Sequence, residues 1–409
     1  MRINFTNSVA KEVLENLKIL AGKDAKLYIM AARQAVEEHL PVTFINKEDR
    51  SQHIFQRNAE KPADLEEGTN YLEIAVKTAN FVKILSILID FDADIYISKE
   101  GGKYYIGCGN KAKTPLEVME VTEEDKNAVI MPKNEKNLAT VVIPAEMLQT
   151  MFRKGAASVE TDKTADRGTE NVCLHLNREE LSVSSLDGVK VSFASNKAKV
   201  KYTDESAEQD VLAGVKFTAL KQLQTLIASA DNVNIIFGEK NIFLATRKNE
   251  VLSVGRAAKV MPGENFLKNL IAEKEVGKLV VDSGELSAAL KTVLSLSEEK
   301  SACRLSISKD TLNLSIGETE TVCKLVTSSD GLNGGEYYYS AYFLNMLVSS
   351  LDKGNLHISL KGAPETPKMF LKNEKGAAMA LLMPTRPPKR EETKEDAAKE
   401  EAEETEDAE

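Results

Sequence analysis

At 409 residues, 42% of them hydrophobic and 28% charged, the chain has a soluble composition with room for two to four cores, which excludes global disorder. Four cysteines with no C-x-x-C pair and four histidines without helical pairing argue against both a disulfide framework and a metal site. The net charge of −10 is concentrated at the end: residues 387–409 hold eleven carboxylates against four basic residues, so −7 sits there and −3 on the 386 residues before it, and nucleic acid stays open as a partner.

The N-terminus lacks the apolar core of a signal peptide, and no uncharged apolar run reaches the roughly eighteen residues of a membrane span. A cytoplasmic protein with no membrane partner is expected. The segment RINF reads as a strand that feeds a helix over 7–20, with Val9, Val13, Leu17 and Leu20 on one face. A second helix, from residue 78, leads into an alternating strand that ends near 97. Asp90, Asp92 and Asp94 fall between the two and read as a solvated turn rather than a metal cluster. YYIGCGNKAK (104–113) has a G-x-G-x-x-A spacing, but Pro115 interrupts where a dinucleotide-binding helix would run, so a β-turn is the reading.

From here the pattern repeats. VVIPAEMLQTMFRKG (141–155) matches LVVDSGELSAALKTV (279–293), and LHLNREELSV (174–183) matches LSISKDTLNL (305–314) as two strands joined by a charged turn. The longer spacing of the earlier copy is taken up by the polar loop 160–171. A helix opened by Thr-Ala or Ser-Ala, followed by a strand, occurs over 78–97, 217–237 and 340–360, with Phe81, Leu220 and Phe343 at one position. The Thr or Ser is expected to cap each helix. The fold class is therefore α+β in three similar domains, 1–139, 140–275 and 276–388, followed by a disordered acidic tail at 389–409.

No G-x-S-x-G elbow, phosphate loop or H-E-x-x-H helix occurs, so catalysis has no candidate residue. Basic residues lie on or beside equivalent helices: Lys11, Lys18, Lys77, Lys83, Arg153, Lys154, Lys216, Lys221 and Lys291. Gathered on one surface, they would suit sequence-independent phosphate contacts; singly, each is an ordinary solvated side chain.

The three repeats, the segment SSLDGVKVSFAS (184–195) and the ending LLMPTR together resemble the bacterial DNA polymerase III beta subunits, the sliding clamps, over about residues 1–386. The resemblance implies three tandem clamp domains that close as a head-to-tail homodimer into a ring, with sheets outside and helices lining a hole for double-stranded DNA. It implies a non-enzymatic processivity factor without cofactor or metal, whose partners are a replicative DNA polymerase, a clamp-loader ATPase and other clamp-motif proteins. It also implies a partner-peptide pocket walled by Gly188, Val191, Pro262, Leu267, Leu290, Tyr342 or Phe343, Leu381, Met383, Pro384 and Arg386. The sequence departs from the family at Val189 and Lys190 in place of His-Arg, and at Gly263 and Glu264 in place of Asp-Tyr. These changes bear on which motif fits. The competing reading is a repeat scaffold that binds proteins without encircling DNA.

Overall fold

One order of elements, β-α-β-β-β-β-α-β-β-β, runs through the chain three times in the computed structural model, which describes residues 1–31, 39–60, 72–121, 130–160, 168–203, 210–228, 230–247, 250–295, 301–374 and 378–387. The tail expected at 389–409 and most of the loop 160–171 lie outside the described residues.

The first pass is β1 (Arg2–Phe5), α1 (Asn7–Lys18), β2 (Lys26–Ala31), β3 (His39–Glu48), β4 (Ser51–Glu60), β5 (Leu72–Lys77), α2 (Thr78–Ile89), β6 (Ile95–Glu100), β7 (Lys103–Cys108) and β8 (Ala112–Pro115). The second is β9 (Asn137–Pro144), α3 (Ala145–Gly155), β10 (Asn171–Leu176), β11 (Glu180–Leu186), β12 (Lys190–Lys197) continued after Ala198 by β13 (Lys199–Tyr202), β14 (Val211–Lys216), α4 (Phe217–Ile227), β15 (Asn232–Gly238), β16 (Asn241–Arg247) and β17 (Glu250–Gly255). After α5 (Gly263–Ile271), the third is β18 (Glu275–Asp282), α6 (Ser283–Leu294), β19 (Ala302–Ile307), β20 (Thr311–Ile316), β21 (Thr319–Ser328), β22 (Glu336–Ser340), α7 (Ala341–Ser350), β23 (Asn355–Lys361), β24 (Lys368–Asn373) and β25 (Ala378–Leu382). Two compact units result: Met1–Gly188 with Ser192–Glu264, and Val189–Val191 with Asn265 onward.

In each pass the two helices pack on each other and against a sheet. The periodicity explains why: α1 buries Ala10, Val13, Leu14 and Leu17, and α2 buries Phe81, Leu85 and Leu88, one stripe each. They meet Phe5, Phe44 and Phe55, the last two stacked with centroids 5.0 Å apart. Each fully buried Leu or Phe contributes about 1.5–3 kcal/mol, so this core outweighs the weak helix propensity of α1's Asn and Val residues.

The expected caps hold at one helix of three. Ser340 Oγ accepts from Phe343 N (3.3 Å) at the start of α7. Thr78 is already inside α2, where its hydroxyl donates to Asn46 Oδ1 (2.8 Å), and Thr218 lies inside α4; Lys77 and Lys216 occupy the two N-cap positions without a side-chain bond. A tertiary hydrogen bond took the hydroxyl of Thr78 away from the cap. Asp90, Asp92 and Asp94 stand between α2 and β6, all three exposed, and the G-x-G-x-x-A segment is the turn between β7 and β8, with Gly109 at φ +48°. All four cysteines are buried in strands.

Inside the first unit β1-β6-β7-β8 form one sheet, and β13-β9-β15-β16-β17-β4-β3-β2-β5 form another. The second sheet crosses from the second pass to the first where β17 pairs with β4, Glu250 opposite Phe55 through Val254 opposite Ser51. Buried at that seam, His53 Nε2 lies 3.4 Å from Glu250 Oε1 while its Nδ1 faces the Asn16 carbonyl at 3.2 Å. The Gln52 amide closes the seam further by exchanging two hydrogen bonds with the backbone of Ile130 (3.1 and 3.2 Å).

The second unit carries the strand order β25-β24-β23-β18-β21-β20-β19-β22. Its strand β21 pairs with β20 through Thr319–Lys324 and with β18 from Leu325 to Ser328. Leu286, Leu290, Leu344 and Leu347 join α6 and α7 to this sheet. Tyr339 Oη, fully buried, donates to the Pro367 carbonyl (2.6 Å).

Candidate functional site

The segment after β25 is held by its backbone. Met383 N donates to the Val189 carbonyl and Thr385 N to the Tyr338 carbonyl, each at 2.8 Å. Between them stands Pro384, which has no N–H to leave unpaired, so a proline costs the ladder nothing there. The alternation of donor, proline, donor explains why an apolar strand runs out into Met-Pro-Thr-Arg rather than into a loop. Thr385 Oγ1 is buried without a hydrogen-bond partner.

The two acceptor carbonyls lead into β12 and toward α7. Lys190, at the start of β12, is buried and sets its Nζ 4.9 Å from the centre of the Phe343 ring. Phe343 meets Tyr342 edge-on at 5.6 Å, and Tyr342 is 41% exposed. Met383, Pro384 and Thr385 are half-buried and Arg386 is exposed, whereas Val191, Leu267, Leu290 and Leu381 are fully buried and present no surface. Gly188 and Pro262 belong to the first unit. Gly188 takes a left-handed φ of +87° in the exposed turn between β11 and β12, a conformation that favours glycine. Pro262 is half-buried beside Gly263, whose N donates to Ser184 Oγ (3.1 Å). The carbonyls of Val189 and Tyr338 were not legible in the sequence, because a backbone acceptor leaves no residue signature.

The basic residues fall on helix ends and outer faces. Lys11 and Lys18 lie two turns apart on α1 and Lys83 on α2, all exposed; Lys18 pairs with Glu15 at 2.6 Å. Arg153 is exposed on α3, while its neighbour Lys154 is only 8% exposed and offers little to a surface partner. Lys221 of α4 lies 5.6 Å from the Phe217 ring centre, and Lys216 lies 3.9 Å from Asp49 Oδ2. Lys291, in the second unit, is exposed on α6. Lys77 and Lys216 sit at helix N-termini, where a cation opposes the helix dipole at a cost of a few tenths of a kcal/mol. Helix stability does not account for them.

Among the described residues no group of His, Cys, Asp and Glu forms a metal site, and no helix is long and apolar enough to cross a membrane.

No family model matches the chain, and no curated protein does. Solved structures match over nearly its full length. A putative DNA polymerase III beta subunit from Eubacterium rectale superposes with a TM-score of 0.77 at 14% identity, covering 94% of this chain and 100% of that one. The C. crescentus beta sliding clamp gives 0.76 at 14% identity, covering 94% and 99%. The Pseudomonas aeruginosa DNA polymerase sliding clamp gives 0.75 at 16% identity, again covering 94% and 99%. The chain has the sliding-clamp fold, α+β with helix pairs backed by large sheets.

Proposed function

We propose that two copies of this chain close head to tail into a ring that encircles duplex DNA without reading its sequence, and that the ring tethers a replicative DNA polymerase as a processivity factor. The observation that carries this reading is a pair of leftover sheet edges. The third strand of one pass lies beside the last strand of the next: β4 pairs with β17, and Val189, at the head of β12, accepts from Met383 at the end of β25. By the same rule β21, the third strand of the third pass, needs a last strand, and β8, the last strand of the first pass, needs a third strand. Among the described residues both lack that neighbour in the chain. Open edges invite pairing, and a head-to-tail contact made twice between two copies closes with no edge left over.

On this reading the three passes are domains bounded near 139 and 275, helices from each turn toward the hole, and exposed lysines and Arg153 meet phosphates weakly and in a salt-dependent way. The ring stays on DNA by topology and needs an ATP-driven loader to open it. No residue is assigned to catalysis, and the setting is the cytoplasm. The segment 383–386, with Lys190, Tyr342 and Phe343 beside it, forms one lip of a groove for short motifs of the polymerase and other clamp-motif proteins. Leu267 and Leu290, buried in the same unit, back it.

The experiment is to replace Met383 and Pro384 together by alanine and to measure polymerase stimulation on primed circular DNA. Stimulation is lost while the dimer mass, twice 44.9 kDa, is retained. Full stimulation by a folded variant contradicts the groove.

A further inference from the structure

The bonding that fixes residues 383–385 occurs a second time, inside the first unit. Gly255 N donates to the Arg50 carbonyl (3.0 Å) and Ala257 N to the Gly214 carbonyl (2.8 Å), as Met383 and Thr385 do to Val189 and Tyr338. Gly-Arg-Ala-Ala at 255–258 therefore stands at the end of the second pass where Met-Pro-Thr-Arg stands at the end of the third. Beside it opens a cavity of about 470 Å³. Its walls include Glu48 and Asp49 of the turn between β3 and β4, Glu170 and Asn171 at the start of β10, and Gln222 of α4. We propose that this cavity is a second docking site, which takes a peptide segment of a protein partner presenting one arginine side chain.

The chemistry of the walls carries the choice of occupant. This cavity brings three carboxylates, Glu48, Asp49 and Glu170, together with two amide oxygens that are buried without a partner. Asn171, 6% exposed, spends its Nδ2 on Glu170 Oε1 (3.2 Å) and the Lys259 carbonyl (3.0 Å), and its Oδ1 is buried with no partner. Gln222 spends its Nε2 on Glu48 Oε2 (3.5 Å), and its Oε1 is likewise buried with no partner. Turning either amide over would set oxygen against carboxylate or carbonyl oxygen, so the orphan atoms are the acceptors. Two of the four cations of the wall are spent elsewhere. Arg256 turns its guanidinium onto the carbonyls of Gly238, Glu239 and Leu212, and Lys216 leans on Asp49.

A planar guanidinium, with five N–H donors in a fixed fork, suits carboxylates and two amide oxygens better than an ammonium does. Arg50 and Lys259 also line the cavity, which favours a single arginine flanked by acidic residues over a basic run. The volume lies within the range of pockets that engulf a side chain with its backbone. The inference rests on the repeated bonding and the two unpartnered amide oxygens, and stands whether or not the chain encircles DNA.

The test is a titration of the full chain with acetyl-Asp-Arg-Asp-amide, followed by amide resonances of Glu170, Ala219 and Lys259. The expected result is saturable shifts at these amides, with affinity at least about tenfold weaker for acetyl-Asp-Gln-Asp-amide and for Gln222→Leu, about 1.4 kcal/mol by the affinity scale. Glu170→Gln is the second variant, should Gln222→Leu disturb α4. Equal affinity for the two peptides, unaltered affinity in both folded variants, or no saturable shift overturns the proposal. Free arginine binding as tightly as the peptide makes this a small-molecule site and removes the protein partner. Displacement of the same resonances by a 20-base-pair duplex, with the peptide inert, makes it a phosphate site and overturns the proposal too.

Discussion

Val322→Pro tests the leftover edge of β21. Leu325 N donates to the Asp310 carbonyl (2.8 Å), and the ladder pairs Leu312 with Cys323 and Asn313 with Val322. N–H groups alternate sides along an antiparallel strand, so those of 321, 323 and 325 face β20 and that of Val322 faces outward. The side chain of Val322 is 58% exposed, so its own packing contributes little to the monomer. Proline here removes an outward donor and leaves the β20 ladder intact. The lost hydrogen bond costs about 1 kcal/mol net, and the pyrrolidine ring crowding the incoming strand adds about as much. In the proposed ring two such edges are closed, so the dimer is expected to lose about 4 kcal/mol, roughly a thousandfold in dissociation constant. Val322→Thr keeps the N–H and serves as the control. Sedimentation equilibrium across a dilution series reads the result: the proline variant dissociates at concentrations where wild type and the threonine variant remain dimeric. Proline and threonine variants with one dissociation constant would refute the reasoning.

Two further outcomes follow from groups buried in the third pass. Tyr339→Phe removes the bond to the Pro367 carbonyl and leaves a buried acceptor unpaired; thermal unfolding shows a loss of about 1–3 kcal/mol, and an unchanged melting temperature contradicts the bond. Burial pushes the Cys303 thiol up to about 12, and burial, with the Glu285 charge second, pushes Cys323 up to about 11. Both thiols therefore stay protonated in the folded chain when the unfolded chain, with ordinary thiols near about 8.5–9, has begun to ionise. The unfolded state then binds fewer protons, so these two groups make stability fall as pH rises from about 9, to about 11 for Cys323 and to about 12 for Cys303. Iodoacetamide at about pH 8, just below the ordinary thiol range, labels them only at the rate of unfolding; prompt labelling of the native protein contradicts the burial.

How much was legible in the sequence follows the physics of each feature. The stripes of α1, α2 and α6 could be read because an apolar face at helical spacing has to be covered by something, and the repeat because Leu174 to Val183 and Leu305 to Leu314 keep one alternation. Caps were legible only where no tertiary partner competed, at Ser340 but not at Thr78. The exposure of Lys154 could not be separated from that of Arg153, since adjacent helical positions differ by about 100° and only the neighbouring strand decides which is covered. Met383 and Pro384 stood out by type, but what holds them is a pair of carbonyls. The cavity beside residues 255–258 left no trace, because its walls come from four separate stretches and its counterpart at 383–386 shares bonding rather than residue types.

Topology is what would hold the proposed ring on DNA, and linearisation addresses it most directly. The protein is loaded onto nicked circular DNA by a clamp loader, isolated by gel filtration, and the circle is then cut at one site. The account predicts that the protein stays with the circle through salt that abolishes phosphate contacts, and runs off the ends within minutes of cutting. Protein that remains on the linear DNA, or that leaves the intact circle as readily, would contradict it.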